Sequence, residues 1–327
     1  MINNILCEIG RLADKIKRGK IFSSTDVVIS SIRSIGKLVS KVRDDETLKN
    51  IYPIAVRELI QSRQTSALLL NSLRELTKTL VDSLEETRDL REISTRINLK
   101  VHEIEKSIRD KNRTVAKIAS NRILDGDTIL VNSYSTVVYE AISYAISEGK
   151  KLSVYIPESR PGNEGVFFAR KLAKLTNVTL FVDSAVRHFM KDVDKVFTSA
   201  EAIAANGALI NKVGTSIIAL VAHEARVRFF SLAATTKFYP ETFLGELVEL
   251  NRISLKLEEE GRDLEGKIDA YSPLFDVTPP EYIDAIITEK GLIAPQAVVI
   301  IIQELYGWPP KIPSLESEFI KLQEVIG

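Results

Sequence analysis

From Thr128 onward the chain alternates between runs short enough for one strand and stretches long enough for one helix. The β-rich runs are Thr128–Val131, Leu152–Ile156, Val178–Val182, Lys195–Thr198 and Val227–Leu232. Between them lie Thr136–Glu148, Glu164–Leu175, Ala185–Lys191 and Val213–Ala225. Strands separated by helix-length crossovers pair in parallel, because a hairpin cannot reverse the chain over that distance. The spacing therefore predicts an α/β unit, a parallel sheet with helices on both faces. In such sheets ligands gather beyond the carboxyl ends of the strands. That rule selects Asn132–Thr136, Pro157–Pro161, Asp183-Ser184, Ser199–Glu201 and Ala233–Lys237.

Ahead of this unit the character is different. Leu69, Leu73, Leu76, Leu80 and Leu84 recur at three- and four-residue spacing, and no proline occurs between Pro53 and Pro157. Long amphipathic helices follow, with Thr65 or Ser66 able to cap the Leu68–Leu84 helix. The turn-rich joint Asn121–Asp127 divides a helical N-terminal domain, 1–120, from the α/β domain with C-terminal helices, 121–327. Within the tail, Glu241–Gly261 reads as a charged amphipathic helix and Ser272–Pro280 as a rigid loop. Ile293–Tyr306 reads as a segment burying an apolar face.

Composition excludes several classes. The 44 basic and 44 acidic side chains cancel, which argues against a nucleic-acid-binding surface. Cys7 is the only cysteine, and His102, His188 and His223 are scattered, so neither a disulfide, a metal site nor a cofactor is expected. The charged, amphipathic start is unlike a signal peptide, and apolar runs such as Ala297–Ile302 fall far short of a membrane span. A cytoplasmic protein is the expectation.

Several strand-end residues suit an anionic ligand. Asn211-Lys212-Val213-Gly214-Thr215 opens a helix, where free N–H groups and the helix dipole favour a phosphate. Arg160 offers a planar fork of donors, the alternative being a surface Arg paired with Glu158 or Glu164, and Lys237 offers a point charge; Arg63, at a helix start, is placed either to reach across an interdomain cleft or to be a plain surface Arg. Ser133 and the Ser135-Thr136-Val137 turn offer hydroxyls and N–H groups, although helix capping accounts for those hydroxyls as well. Glu201, just past a strand end, is the candidate general acid or base, against a simply solvated carboxylate.

Together these segments resemble a known family, the translation initiation factor 2B alpha/beta/delta-subunit family. It also contains methylthioribose-1-phosphate isomerases and archaeal ribose-1,5-bisphosphate isomerases. The resemblance runs through Arg63–Arg74, Ile129–Val138, Val154–Pro161, Asp183-Ser184-Ala185, Asp194–Thr215, Lys237-Phe238 and Leu274–Gly291. It implies a helical domain followed by a Rossmann-like domain, a ligand cleft between them, and a homodimer or larger homo-oligomer. In the isomerases an acid–base pair is formed by a Cys and an Asp, whose positions here hold Ser133 and Glu201. Phosphate-holding positions are matched by Arg63, Ser135, Thr136, Val137, Arg160, Asn211, Lys212 and Lys237. The first sixty residues show no clear Arg-Gly-Ala substrate motif. With both catalytic types replaced, the resemblance implies a non-catalytic regulatory subunit that binds initiation factor 2, its alpha subunit above all. A sugar phosphate or nucleoside monophosphate would sit in a vestigial cleft. The competing reading is an aldose–ketose isomerase of ribose-1,5-bisphosphate or methylthioribose-1-phosphate, with Glu201 as its remaining acid–base group.

Overall fold

Short polar side chains start most of the N-terminal helices. The first, α1 (Ile2–Lys17), leads through a basic turn into α2 (Ser24–Lys41), α3 (Asp45–Ser62), α4 (Ala67–Glu86) and α5 (Leu90–Ser120). Ser23, Asp44, Ser66 and Asp89 each accept a backbone N–H from the first turn of the helix that follows. Each such cap satisfies one otherwise orphaned donor and contributes about 1 kcal/mol. This computed structural model describes residues 2–245, 250, 252–254 and 270–327.

The leucine stripe of α4 is core: Leu69, Leu73, Leu76, Leu80 and Leu84 are all buried against Ile32, Ile35, Tyr52 and Leu59. The longest helix, α5, belongs to two cores. Ile93, Ile97 and Ile108 lie in the helical one, Val115, Ala116 and Ala119 in the one beneath the sheet. It is a rigid spine joining the two layers.

The second layer is built from β1 (Thr128–Val131), α6 (Thr136–Ser147), β2 (Ser153–Pro157), α7 (Glu164–Leu172), β3 (Asn177–Phe181), α8 (Val186–Met190) and β4 (Lys195–Ser199). It continues with β5 (Ala202–Ala204), β6 (Leu209–Lys212), α9 (Thr215–Ala225), β7 (Arg228–Leu232) and β8 (Phe238–Tyr239). The remaining elements are β9 (Arg252–Ser254), β10 (Tyr271–Pro273), β11 (Phe275–Thr278), β12 (Ala285–Thr288), β13 (Gly291–Ile293), α10 (Val298–Tyr306) and α11 (Leu315–Ile326). Seven strands form the main sheet in the order β13-β12-β7-β4-β1-β2-β3. All its pairings are parallel except that of β13. Val138 of α6 and Phe168 of α7 pack on one face; Met190 of α8, Ile218 of α9 and Ile302 of α10 pack on the other. The predicted parallel sheet with helices on both faces is therefore present.

Three segments depart from expectation. Val196–Thr215 is not simply a strand followed by a turn, since β5 and β6 form a hairpin around Gly207 (φ +84°). Ser272–Pro280 is strand rather than rigid loop, with β11 running antiparallel to β6 and completing the four-stranded sheet β11-β6-β5-β8. Glu241–Gly261 does not begin as the expected helix. Pro240–Leu244 forms a 3-10 turn and β9 pairs with β10, while the rest of that segment lies outside the described residues. The last helix, α11, leaves the sheet and places Leu315, Phe319 and Leu322 in the helical core. Arg57 of α3 forks onto Glu316 at 3.0 and 2.6 Å and covers the Phe319 ring. Among the described residues, no helix is long and apolar enough to cross a membrane.

Candidate functional site

The carboxyl ends of β1, β2 and β4 open onto a cleft of 770 Å³, closed on its far side by the α1–α2 turn and the end of α3. The α3 C-cap Arg63 reaches from the helical layer to Glu201, which follows β4. Its Nε donates to Glu201 Oε1 at 2.6 Å and its Nη2 to Oε2 at 2.9 Å. Glu201 is 3% exposed, so the two-pronged contact fixes a buried carboxylate in one orientation. The Arg63 guanidinium also lies 5.7 Å from the Phe275 ring.

Behind that carboxylate, Lys237 is buried and donates to Ala200 O at 2.6 Å and Ser199 Oγ at 3.2 Å. Burial lowers its amine to about 8; Glu201 opposes the shift and Arg63 adds to it. Lys237 shares a second, water-sized cavity of 20 Å³ with Ser199 and with Ser135, Thr136 and Val137 at the start of α6. Ser135 is the helix cap, accepting from Val138 N at 3.3 Å.

Ser133 lies on the cleft wall in a left-handed conformation (φ +59°), and the buried Ser159 after β2 has the same φ. Non-glycine residues adopt this region at a cost and only where surroundings enforce it. Here the enforcement is a buried network. Ser133 N donates to Ser159 Oγ at 2.9 Å, and Ser159 Oγ donates to Asn132 Oδ1 at 3.1 Å. Asn132 Nδ2 donates to Thr215 Oγ1 at 2.8 Å. Asn211 adds donors to Thr198 and Thr215, so the ends of β1, β2, β4 and β6 are tied together. Asp183 holds the backbone N–H groups of Ser159 and Arg160 at 2.9 and 2.8 Å.

The expected anion sites are brought together unevenly. Arg63, Ser133, Glu201, Asn211 and Lys212 all line the cleft. Lys212 is engaged by Glu164 Oε1 at 2.7 Å. Around Arg160 it is Pro161, Gly162 and Glu164 that line the wall, not Arg160. At the mouth of α9, where the sequence suggests a phosphate, Asp276 Oδ2 accepts from Gly214 N, Ser216 N and Ser216 Oγ at 2.8–3.1 Å. Burial raises the Asp276 carboxyl, partly offset by those hydrogen bonds. That helix terminus is thus filled by the protein's own carboxylate.

Two features were missed. Arg18, Gly19, Lys20 and Phe22 line the cleft, although no Arg-Gly-Ala motif was found in this part of the chain. The available signal was the Lys17–Lys20 cluster around Gly19, whose φ of +64° shapes the turn. The other is Glu164, which reads in sequence as an ordinary first-turn acid. No group of three or more His, Cys, Asp or Glu is placed to hold a metal among the described residues.

This architecture matches proteins of one lineage. The profile of the Initiation factor 2 subunit family matches residues 20–295. The chain belongs to that family. Within it, the ribose 1,5-bisphosphate isomerase of Methanocaldococcus jannaschii is 38% identical over 91% of this chain and 95% of its own length. The ribose 1,5-bisphosphate isomerase of Pyrococcus furiosus is 36% identical over 93% and 96%. The crystal structure of a Pyrococcus horikoshii translation initiation factor eIF-2B superposes with a TM-score of 0.77 at 25% identity, covering 89% of this chain and 98% of that one.

The isomerase relatives overturn the expectation of a non-catalytic initiation-factor subunit, and with it the reading of the chain as no enzyme. That expectation rested on Ser133 and Glu201 standing in for a thiol and a shorter carboxylate. Yet Glu201 still presents a buried, oriented carboxylate on the cleft wall. Translation-factor terms therefore describe the wider family better than this member.

Proposed function

We propose that this chain is a sugar-phosphate isomerase converting ribose 1,5-bisphosphate to the corresponding ketose bisphosphate. The observation that carries the reading is the Glu201 carboxylate, oriented by the Arg63 fork and facing a cleft flanked by cations. Similarity to isomerases along nearly the whole chain supports it.

The reaction is a redistribution of protons. Opening the ring of an aldose 1-phosphate breaks the bond from C1 to the ring oxygen, which takes up a proton. Loss of the C2 proton then gives an enol phosphate, and protonation at C1 with release of the C2 hydroxyl proton yields the 2-ketone; the released proton balances the one taken up by the ring oxygen. Atoms balance without an oxidant. Glu201 takes the role of the group that removes the C2 proton and returns one to C1. Arg63 holds it in place. Lys212, Arg18 and Lys20 supply positive charge for the two phosphates. Arg160 and Asn211 act by shaping the β2 and β6 ends. Lys237 secures the Ser199–Glu201 turn from behind.

Carbon NMR of the purified protein with ribose 1,5-bisphosphate tests this. A growing ketone signal is the expected result, and an unchanged substrate spectrum after prolonged incubation would sink the reading. We also propose a homodimer or larger homo-oligomer, supported by Leu180 and Val182, which are exposed on and beside the edge strand β3. Light scattering that gives only the monomer mass of 36.5 kDa would remove that part.

A further inference from the structure

Beside its leucine stripe, α4 carries two polar side chains one turn apart, Asn71 and Arg74. Asparagine is a weak helix former, since its amide competes with the backbone for hydrogen bonds. Here the amide reaches into the α/β layer instead. Asn71 Nδ2 donates to Thr236 O at 3.1 Å and to Phe238 O at 3.0 Å, the carbonyls of the residues on either side of Lys237. Arg74 Nη1 donates to Asn71 Oδ1 at 3.0 Å, which leaves both amide N–H groups for those carbonyls. Arg74 is itself held by an interior ion pair with Glu241.

Lys237 carries this restraint to the cleft. Its Nζ donates to Ala200 O at 2.6 Å. That carbonyl belongs to the Ala200–Glu201 peptide, whose N–H donates to Ile210 O at 2.9 Å. The peptide plane that bears Glu201 is thus held at both edges, by Lys237 on one and by β6 on the other. A lysine side chain has many rotamers to lose, so it fixes a distant group only when its own backbone is fixed. Asn71 does this from the helical layer, while Arg63, from the same layer, orients the carboxylate.

We propose that Asn71 is a positioning residue for the Glu201 carboxylate, acting from α4 through Lys237. For its effect on turnover the proposal rests on the isomerase reading above. Asn71 is not among the residues that line the cleft, so its loss leaves the groups that meet the substrate in place and lets one of them drift. A displacement of about 1 Å at a reacting group can cost about 100-fold in rate. The deficit therefore falls on kcat rather than on binding.

Two variants of the full chain test it. Asn71→Leu keeps the volume but cannot donate, and Asn71→Ala removes the same donors should the leucine variant fold poorly. Leu80→Ala, in the helical core, is the destabilised control. With ribose 1,5-bisphosphate, at a temperature where all are folded, kcat falls about 10- to 100-fold in the Asn71 variants and KM stays within about threefold. Leu80→Ala keeps kcat within about twofold of wild type. Carbon NMR of protein labelled at lysine Cε needs no turnover, and Lys237→Met identifies the signal. The Lys237 amine, near 8 in wild type, moves up toward 10.5 in the Asn71 variants as the loosened turn admits water, and stays near 8 in Leu80→Ala. Wild-type kcat in the Asn71 variants, an equal loss in Leu80→Ala, or a Lys237 midpoint that does not move overturns the proposal. Absence of turnover in the wild type sinks the isomerase reading, and the Lys237 midpoint alone then decides the positioning.

Discussion

At Glu201 and Arg63 two charges have left water and face each other at 2.6 Å. Removing one member of such a pair strands the other, which costs about 3–5 kcal/mol. Arg63→Ala is therefore expected to lower urea-unfolding stability by roughly that amount. Glu201→Gln can still accept from Arg63 and should lose distinctly less. Equal losses in the two variants would contradict the geometry. Lys237 makes a prediction about pH. Its amine titrates near 8 in the folded chain, against 10.5 for an unburied lysine. Between those values the unfolded chain binds more protons, so this residue's contribution to stability rises with pH. Relative to Lys237→Met, the wild type should gain stability from pH 8 to pH 10, as read from thermal midpoints across that range. Glu201 and Lys212 stood out in the sequence because strand ends collect ligands, and Arg63 because it stands beside a helix start. Glu164 and Arg18 were not, since a first-turn acid and a basic turn look the same whether they face solvent or a cleft.

Elements were legible where they carry a strong period. The parallel strands and the leucine stripe of α4 fall close to their expected places. The β5–β6 hairpin does not announce itself, because Ala202, Ala204 and Ala208 have little strand propensity. Ala202 and Ala204 become strand through burial, in one cluster with Ala67, Ala208 and Ile210. Pro279 and Pro280 similarly disguise β11, whose Asp276 lies opposite Asn211 and reaches the start of α9. Capping by that carboxylate leads to a sharp expectation. Asp276→Ala removes three hydrogen bonds from the α9 N-terminus and should cost about 1–3 kcal/mol. Sugar-phosphate affinity should stay within about twofold, given that the protein's own carboxylate already fills the terminus. A large loss of affinity with little loss of stability would mean that a ligand does use this helix end.

The whole molecule is two layers held at a set distance by α5, with the site in the gap. The sequence's helical and α/β halves are both present, but α11 crosses back to the first. Because Leu315, Phe319 and Leu322 are part of the helical core, a chain ending at residue 312 should be destabilised by several kcal/mol, about 2–5 for each large apolar side chain removed from a core. A truncated chain with an unchanged thermal midpoint would show that α11 contributes nothing to that layer. The functional reading changed most at this scale. Two substituted positions suggested lost chemistry, whereas the assembled cleft retains an oriented carboxylate amid cations, and relatives matched over 91% and 93% of the chain are ribose 1,5-bisphosphate isomerases.

The most direct test compares wild type and Glu201→Gln in turnover of ribose 1,5-bisphosphate. If Glu201 moves the proton, kcat falls about 10²–10⁴-fold in the variant while KM stays within a few-fold. Turnover by Glu201→Gln at the wild-type rate would contradict the account.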